Sequence, residues 1–219
     1  MIEQNILIVV TNGHVMDNGK LAGIWLSEFA EPYEEFTREG FEITVASPKG
    51  GASQIDPSSI EDDVPEKWKV YKELLLRTTP LSNVTAKDFA GIFLPGGHGA
   101  MFDLPNNLHL HNLLTDFSKS NKPIGAVCHG PAGLVGAQLD TGNPLIEGKR
   151  VTGFTNEEEK ETQLDSLMPF LLETKMKELQ SEFIAHPNWR DHVEVDGNLV
   201  TGQNPQSSKS VAIAFLNLL

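Results

Sequence analysis

The chain carries one cysteine, and the residues around it decide whether that thiol can react. Cys128 ends the apolar part of Pro123-Ile-Gly-Ala-Val-Cys-His-Gly-Pro131, where a buried strand must turn sharply. Such a strand-to-helix turn lifts one side chain above the carboxyl edge of a sheet, the edge at which open α/β sheets bind ligands. Gly125 and Gly130 stand where a Cβ would crowd the neighbouring strand or helix. Cys128-His129-Gly130 is expected to open a helix, and the positive end of a helix dipole favours the thiolate that attacks electrophiles. Cys128 is therefore read as a nucleophile rather than an inert core thiol.

His129, next in the chain, is a candidate general base. A neutral imidazole needs a partner to orient it, and Thr155-Asn-Glu-Glu-Glu159 supplies three carboxylates. Glu159 is the chosen partner, although spacing does not select among Glu157, Glu158 and Glu159. The same run also reads as a helix start, with Asn156 as its cap. Leu94-Pro-Gly-Gly-His-Gly99 follows another strand, and its Gly96-Gly97 turn can aim an N–H at a developing oxyanion. The Gly97 amide and the His129 amide would make a two-donor hole. The Lys and Ser/Thr of a phosphate loop are absent from that segment.

Glu28, in Ser27-Glu28-Phe29, lies among core-type residues of a helical stretch. Burial there would be costly unless the carboxyl were protonated or paired, which a place near Cys128 would explain; a solvated face fits the pattern equally well. His14, His98, His109, His111, His186 and His192 show no metal-ligand spacing, and no metal or other cofactor is expected.

These residues need a scaffold that brings strand ends together. Apolar, β-rich runs alternate with longer helical patterns, which predicts an α/β fold with a mainly parallel sheet covered on both faces. Strands are expected at 5–11, 41–46, 91–94, 123–127 and 150–154, and a hairpin at 192–201 turning at Asp196-Gly197. Helices are expected at about 24–39, with Pro32 inside and Gly40 as the stop, and at 68–76, 107–120, 157–165, 169–180 and 206–219. Residues 48–66 read as a loop. With no internal repeat and no long linker, residues 1–219 are expected to form one domain.

Hydrophobic residues make up 39% of the 219, charged ones 21%, and the formal charge is −13. That sign repels phosphate backbones and anionic lipid, so nucleic-acid and membrane partners are not expected. The acids are dispersed, with concentrations at Glu157-Glu158-Glu159 and Glu61-Asp62-Asp63, and read as solubility. A lone thiol, no signal-peptide pattern and no membrane-length apolar run point to the cytoplasm.

As a set, residues 91–99, Ala126-Val-Cys-His-Gly-Pro131 and Val151-Thr-Gly-Phe-Thr155 resemble the DJ/PfpI superfamily. That resemblance implies a flavodoxin-like three-layer sandwich of the class I glutamine amidotransferase type. Gly23-x4-Glu28, Gly142-Asn-Pro-Leu-Ile-Glu-Gly148 and Asp196-Gly-Asn-Leu-Val-Thr-Gly-Gln-Asn-Pro205 narrow the resemblance further. They look like the heat-shock chaperone branch with cofactor-independent glyoxalase III activity. The larger bacterial chaperones of that branch carry an extra N-terminal segment, whereas this chain begins at its first strand.

By the same resemblance Cys128 matches the nucleophile, Glu28 the acid contacting the thiol, and His129 the adjacent histidine. Glu159 matches the third triad member when Thr152-Gly-Phe-Thr155 sets the register, and Gly97 with the His129 amide matches the oxyanion hole. The implied activity is glutathione-independent conversion of methylglyoxal, or another small 2-oxoaldehyde, to lactate, a lyase of the D-lactate dehydratase type. The base that moves the proton is either His129 or Glu28. Two other classes share these residues: a stress-induced holding chaperone or redox sensor, whose partners would be unfolded clients, and a cysteine amidase or peptidase. The fold also allows a homodimer.

Overall fold

The computed structural model describes residues 4–60 and 64–219, so Glu61-Asp62-Asp63 lies outside the described residues. Ile6, Leu7, Ile8 and Val9 of β1 (Asn5–Val9) are all fully buried, the pattern of a strand covered on both faces. A small hairpin, β2 (His14–Val15) and β3 (Leu21–Ala22), precedes α1 (Leu26–Arg38), which runs through Pro32 and stops before Gly40 at φ +87°. The chain continues through β4 (Glu42–Ser47), α2 (Lys69–Leu75), β5 (Thr79–Pro80) and β6 (Gly91–Leu94). Next come α3 (Ala100–Asp103), α4 (Leu108–Lys119), β7 (Ile124–Val127), β8 (Arg150–Val151) and α5 (Asn156–Thr162). It ends with α6 (Leu172–Glu178), β9 (Glu182–Phe183), β10 (Val193–Asp196), β11 (Leu199–Gly202) and α7 (Ser208–Leu216).

Seven strands form the central sheet in the order β10-β11-β7-β6-β1-β4-β5, parallel throughout except for the β10–β11 hairpin. The order reverses beside β1: the chain builds outward through β4 and β5, then returns to place β6 on the other side. Ligand crevices of open α/β sheets form at such switch points, outside the carboxyl ends of the strands. Side chains of β6 alternate between layers. Phe93 meets Phe36 of α1 and Phe215 of α7, while the next residue, Leu94, faces Gly133 beside Leu110 of α4. Helices therefore cover both faces of the sheet. Among the described residues no helix is long and apolar enough to cross a membrane.

Three local expectations are corrected. Residues 150–154 do not form a full strand: only Arg150–Val151 pairs, with β9 in a separate two-stranded sheet. From Thr152 the chain bonds elsewhere, its N–H donating to Thr201 Oγ1. The segment after Cys128 is a five-residue 3-10 helix, Gly130–Leu134, and not an α-helix. Gly-Pro-Ala-Gly-Leu is a poor α-helix former, and a turn that short carries no long row of aligned peptide dipoles. The cap of α5 is Thr155 rather than Asn156. Thr155 Oγ1 accepts from the Glu158 N–H at 3.1 Å while the Glu158 carboxylate accepts from the Thr155 N–H at 3.1 Å, a reciprocal capping box.

Candidate active site

The strand-to-turn junction holds Cys128 at φ +58°, a left-handed backbone that costs a non-glycine residue of order 1 kcal/mol. Its neighbours fix that conformation from two sides. The Cys128 N–H donates to the Gly202 carbonyl of β11 at 2.9 Å, and the Cys128 carbonyl accepts from the Phe154 N–H at 2.9 Å. Glycine is required just beyond, because a Cβ on Gly130 would stand 2.0 Å from the Leu94 carbonyl oxygen.

A line of polar contacts leads away from the sulfur. Cys128 Sγ lies 3.3 Å from His129 Nδ1, and His129 Nε2 lies 2.6 Å from Glu159 Oε2. The other oxygen, Glu159 Oε1, lies 2.7 Å from His98 Nε2 and accepts from Thr162 Oγ1 at 3.1 Å. The His98 and His129 rings pack with centroids 4.3 Å apart. Burial favours the neutral form of His129. Burial alone would raise Glu159, but the two imidazoles overcome it and hold the carboxyl well below the usual range. An ionised Glu159 fixes the His129 proton on Nε2 and leaves Nδ1 free to accept from the thiol.

On the other side of the sulfur stands Glu28, fully buried. Its Oε2 accepts from the Gly96 N–H at 2.8 Å, while Oε1 is buried beside the thiol without a hydrogen-bond partner. Burial pushes Glu28 up to about 8, so at neutral pH it holds a proton beside the sulfur. Burial also pushes the Cys128 thiol up, which corrects the expectation of a resting thiolate. Without a long helix behind it, the sulfur depends on the flanking acid and base for ionisation.

The run of three glutamates divides by position on α5. Glu157 is exposed, Glu158 turns inward to the capping box and to Gln203 and Asn204, and Glu159 faces the histidines. Gly97 sits at φ +98°, where a Cβ would come within 2.4 Å of the Gly23 carbonyl oxygen, and its backbone favours the ionised form of the Cys128 sulfur. Among the described residues neither the Gly97 nor the His129 amide donates to a backbone carbonyl. Gly96, also expected to serve an oxyanion, is committed elsewhere: its N–H belongs to Glu28.

An inner chamber of about 70 Å³ surrounds the sulfur, lined by Glu28, His129, Trp25, Phe154 and Trp189 among others. A larger chamber of about 450 Å³ adjoins it, sharing Trp25, His98 and Thr162, and the loop residues Asp56, Pro57 and Ser58 form part of its wall. Sequence reasoning passed over His98, Trp25, Phe154 and Trp189 as site residues. His98 had a usable signal, since it directly follows the glycine pair at a strand's carboxyl end. The aromatic walls had none, because only tertiary folding brings residues 25, 154 and 189 together.

His98, His129 and Glu159 also have ligand-type atoms within 4.8 Å of one another, the spacing a metal ion would need. Each nitrogen already faces a carboxylate oxygen at hydrogen-bonding distance, an arrangement that serves proton transfer directly.

Comparison with known proteins adds four findings. The profile of the DJ-1/PfpI family matches residues 22–218. The glutathione-independent glyoxalase HSP31 of Saccharomyces cerevisiae is 30% identical, covering 100% of this chain and 99% of that protein. Among solved structures, glyoxalase III from Candida albicans superposes with a TM-score of 0.92 at 27% identity, covering 100% and 98% of the two chains. The Rapid Encystment Protein of 24 kDa from Francisella tularensis gives a TM-score of 0.92 at 33% identity, covering 98% of each.

Proposed function

This chain belongs to the DJ-1/PfpI family, and from that membership we propose that it is a glutathione-independent glyoxalase converting methylglyoxal and related small 2-oxoaldehydes to 2-hydroxy acids. The observation that carries this reading is the placing of one sulfur between an acid and a base. Cys128 has protonated Glu28 on one side and neutral His129 on the other, inside a chamber of about 70 Å³. At roughly 10–15 Å³ per water-sized group, that space takes about five such groups. Methylglyoxal has five non-hydrogen atoms.

The thiol proton passes to His129 Nδ1 as sulfur attacks the aldehyde carbon, giving a hemithioacetal whose oxygen meets the Gly97 and His129 amides. The former aldehyde hydrogen is then removed as a proton, and an ene-diol forms. Reprotonation at the neighbouring carbon completes an internal redox exchange: the aldehyde carbon is oxidised to a thioester while the ketone carbon is reduced to an alcohol. A carboxyl that titrates near 8 can both give and take a proton at neutral pH, as this transfer requires. Water then hydrolyses the thioester, releasing lactate and restoring the thiol. Glu159 keeps His129 in the right tautomer throughout, and His98 holds the second oxygen of Glu159.

We place this activity in the cytoplasm, and a homodimer is compatible with it. The amidase or peptidase reading uses the same nucleophile, but the inner chamber is small for a peptide. A holding chaperone would not require the thiol, so the two readings separate on one variant. Purified protein is expected to form lactate from methylglyoxal with glutathione omitted, and Cys128→Ala is expected to abolish it. A Cys128→Ala protein as active as the parent would end the mechanism, and client holding retained by that variant would credit the chaperone role separately.

A further inference from the structure

Nothing in the proton relay uses Trp189, yet its backbone is held at φ +58°. A bulky aromatic residue rarely adopts the left-handed region, and the conformation persists only where its surroundings impose it, at a cost of order 1–3 kcal/mol. Here the surroundings do so. The Trp189 N–H donates to Glu158 Oε1 at 2.9 Å, and that same oxygen accepts from Asn204 Nδ2 at 2.8 Å. The indole Nε1–H donates to Glu161 Oε2, and Asn188 Nδ2 donates to Glu161 Oε1 at 2.8 Å. Both glutamates lie on α5, the helix that also carries Glu159.

The latched indole packs edge-on to Phe154, with centroids 5.6 Å apart, and Phe154 in turn packs on His129 at 4.4 Å. Trp189 is 37% exposed and also lines the inner chamber. One side chain thus faces water and the reaction space together, held rigidly to the helix that orients the base.

We infer that Trp189 is the size gate of the inner chamber, restricting access to Cys128 to small electrophiles and hence the substrate class to 2-oxoaldehydes with short substituents. The substrate half of this statement rests on the glyoxalase reading; the gating half rests only on the geometry. Its removal leaves the thiol, His129 and Glu159 in place and widens the space beside them.

The lone cysteine allows a test that does not need turnover. Alkylation of Cys128 by iodoacetamide and by N-phenylmaleimide is timed in the parent, Trp189→Ala and Trp189→Phe. The maleimide-to-iodoacetamide rate ratio is expected to rise at least about tenfold in Trp189→Ala, the discrimination one packing group gives in a pocket, and much less in Trp189→Phe. The ratio of kcat/KM for phenylglyoxal over methylglyoxal is expected to rise in step. Should Trp189→Ala fold poorly, Glu161→Ala removes the exposed latch and is expected to shift the alkylation ratio in the same direction by a smaller factor. Ratios unchanged in the folded variants would overturn the gate. A gate seen by alkylation in a protein that makes no lactate would instead overturn the glyoxalase reading and leave the gate standing.

Discussion

Glu28 is fully buried beside Cys128, and its proton is held up to about 8 instead of the ordinary 4.5. The folded protein therefore keeps a proton on Glu28 between pH 4.5 and 8, where the unfolded chain has released it. Folding takes up that proton, so this group's contribution to stability is complete below 4.5. It is lost as pH rises toward 8, at no more than about 1.4 kcal/mol per pH unit. Glu28→Gln removes the titration while preserving an acceptor for the Gly96 N–H. Urea denaturation at pH 5, 6.5 and 8 is expected to show the variant gaining on the parent by a few kcal/mol across the range. Its turnover is expected to fall by about 100-fold or more, because an amide cannot exchange a proton. A stability difference that stays level with pH would mean that Glu28 is ionised in the folded protein.

At the scale of elements, the elbow depends on how closely the Gly130–Leu134 turn approaches β6. A Cβ at Gly130 would meet the Leu94 carbonyl at 2.0 Å, and a backbone oxygen inside a sheet cannot swing aside as a side-chain tip can. Gly130→Ala is expected to cost about 3 kcal/mol or more in thermal or urea unfolding, with the thiol displaced. Gly40→Ala, left-handed but with open space around it, is expected to cost about 1 kcal/mol; equal losses would show that the close approach is unimportant. The contrast marks what could be read in advance. The bounds of β6 and nearly those of α4 were legible, because apolar runs, a capping Asn107 and flanking glycines are local signals. The shortened β8 was not, since Val-Thr-Gly-Phe-Thr has strand character and leaves its ladder only to reach Thr201 and Cys128. Which of three adjacent glutamates faces His129 depends on where Thr155 starts α5, and one residue of slip would turn a different carboxylate inward. The aromatic walls needed the sheet order itself.

At the scale of the whole molecule, the site is gathered from distant parts of the chain. Glu28 comes from α1, Gly97 and His98 from the turn after β6, Cys128 and His129 from the elbow, and Glu159 from α5. The sheet must hold these in place, and its core is closed by the last helix. Phe215 of α7 lies 5.2 Å from the Phe36 ring and 5.8 Å from the Phe93 ring, and fills the space left by Gly91 and Gly125. Those glycines lie near the starts of β6 and β7, whereas the chemistry lies beyond their ends. At about 3.3 Å per residue, Gly125 and Cys128 are separated by roughly 10 Å along the strand. Stability and reactivity should then be separable. Phe215→Ala is expected to lower unfolding free energy by about 3–5 kcal/mol through the cavity it leaves. Turnover per folded molecule should stay near the parent's at temperatures where circular dichroism shows the variant intact. A fall in turnover there, ahead of unfolding, would mean that the core positions the sulfur through fine adjustments of β7, and that packing at one end of the strand is coupled to chemistry at the other.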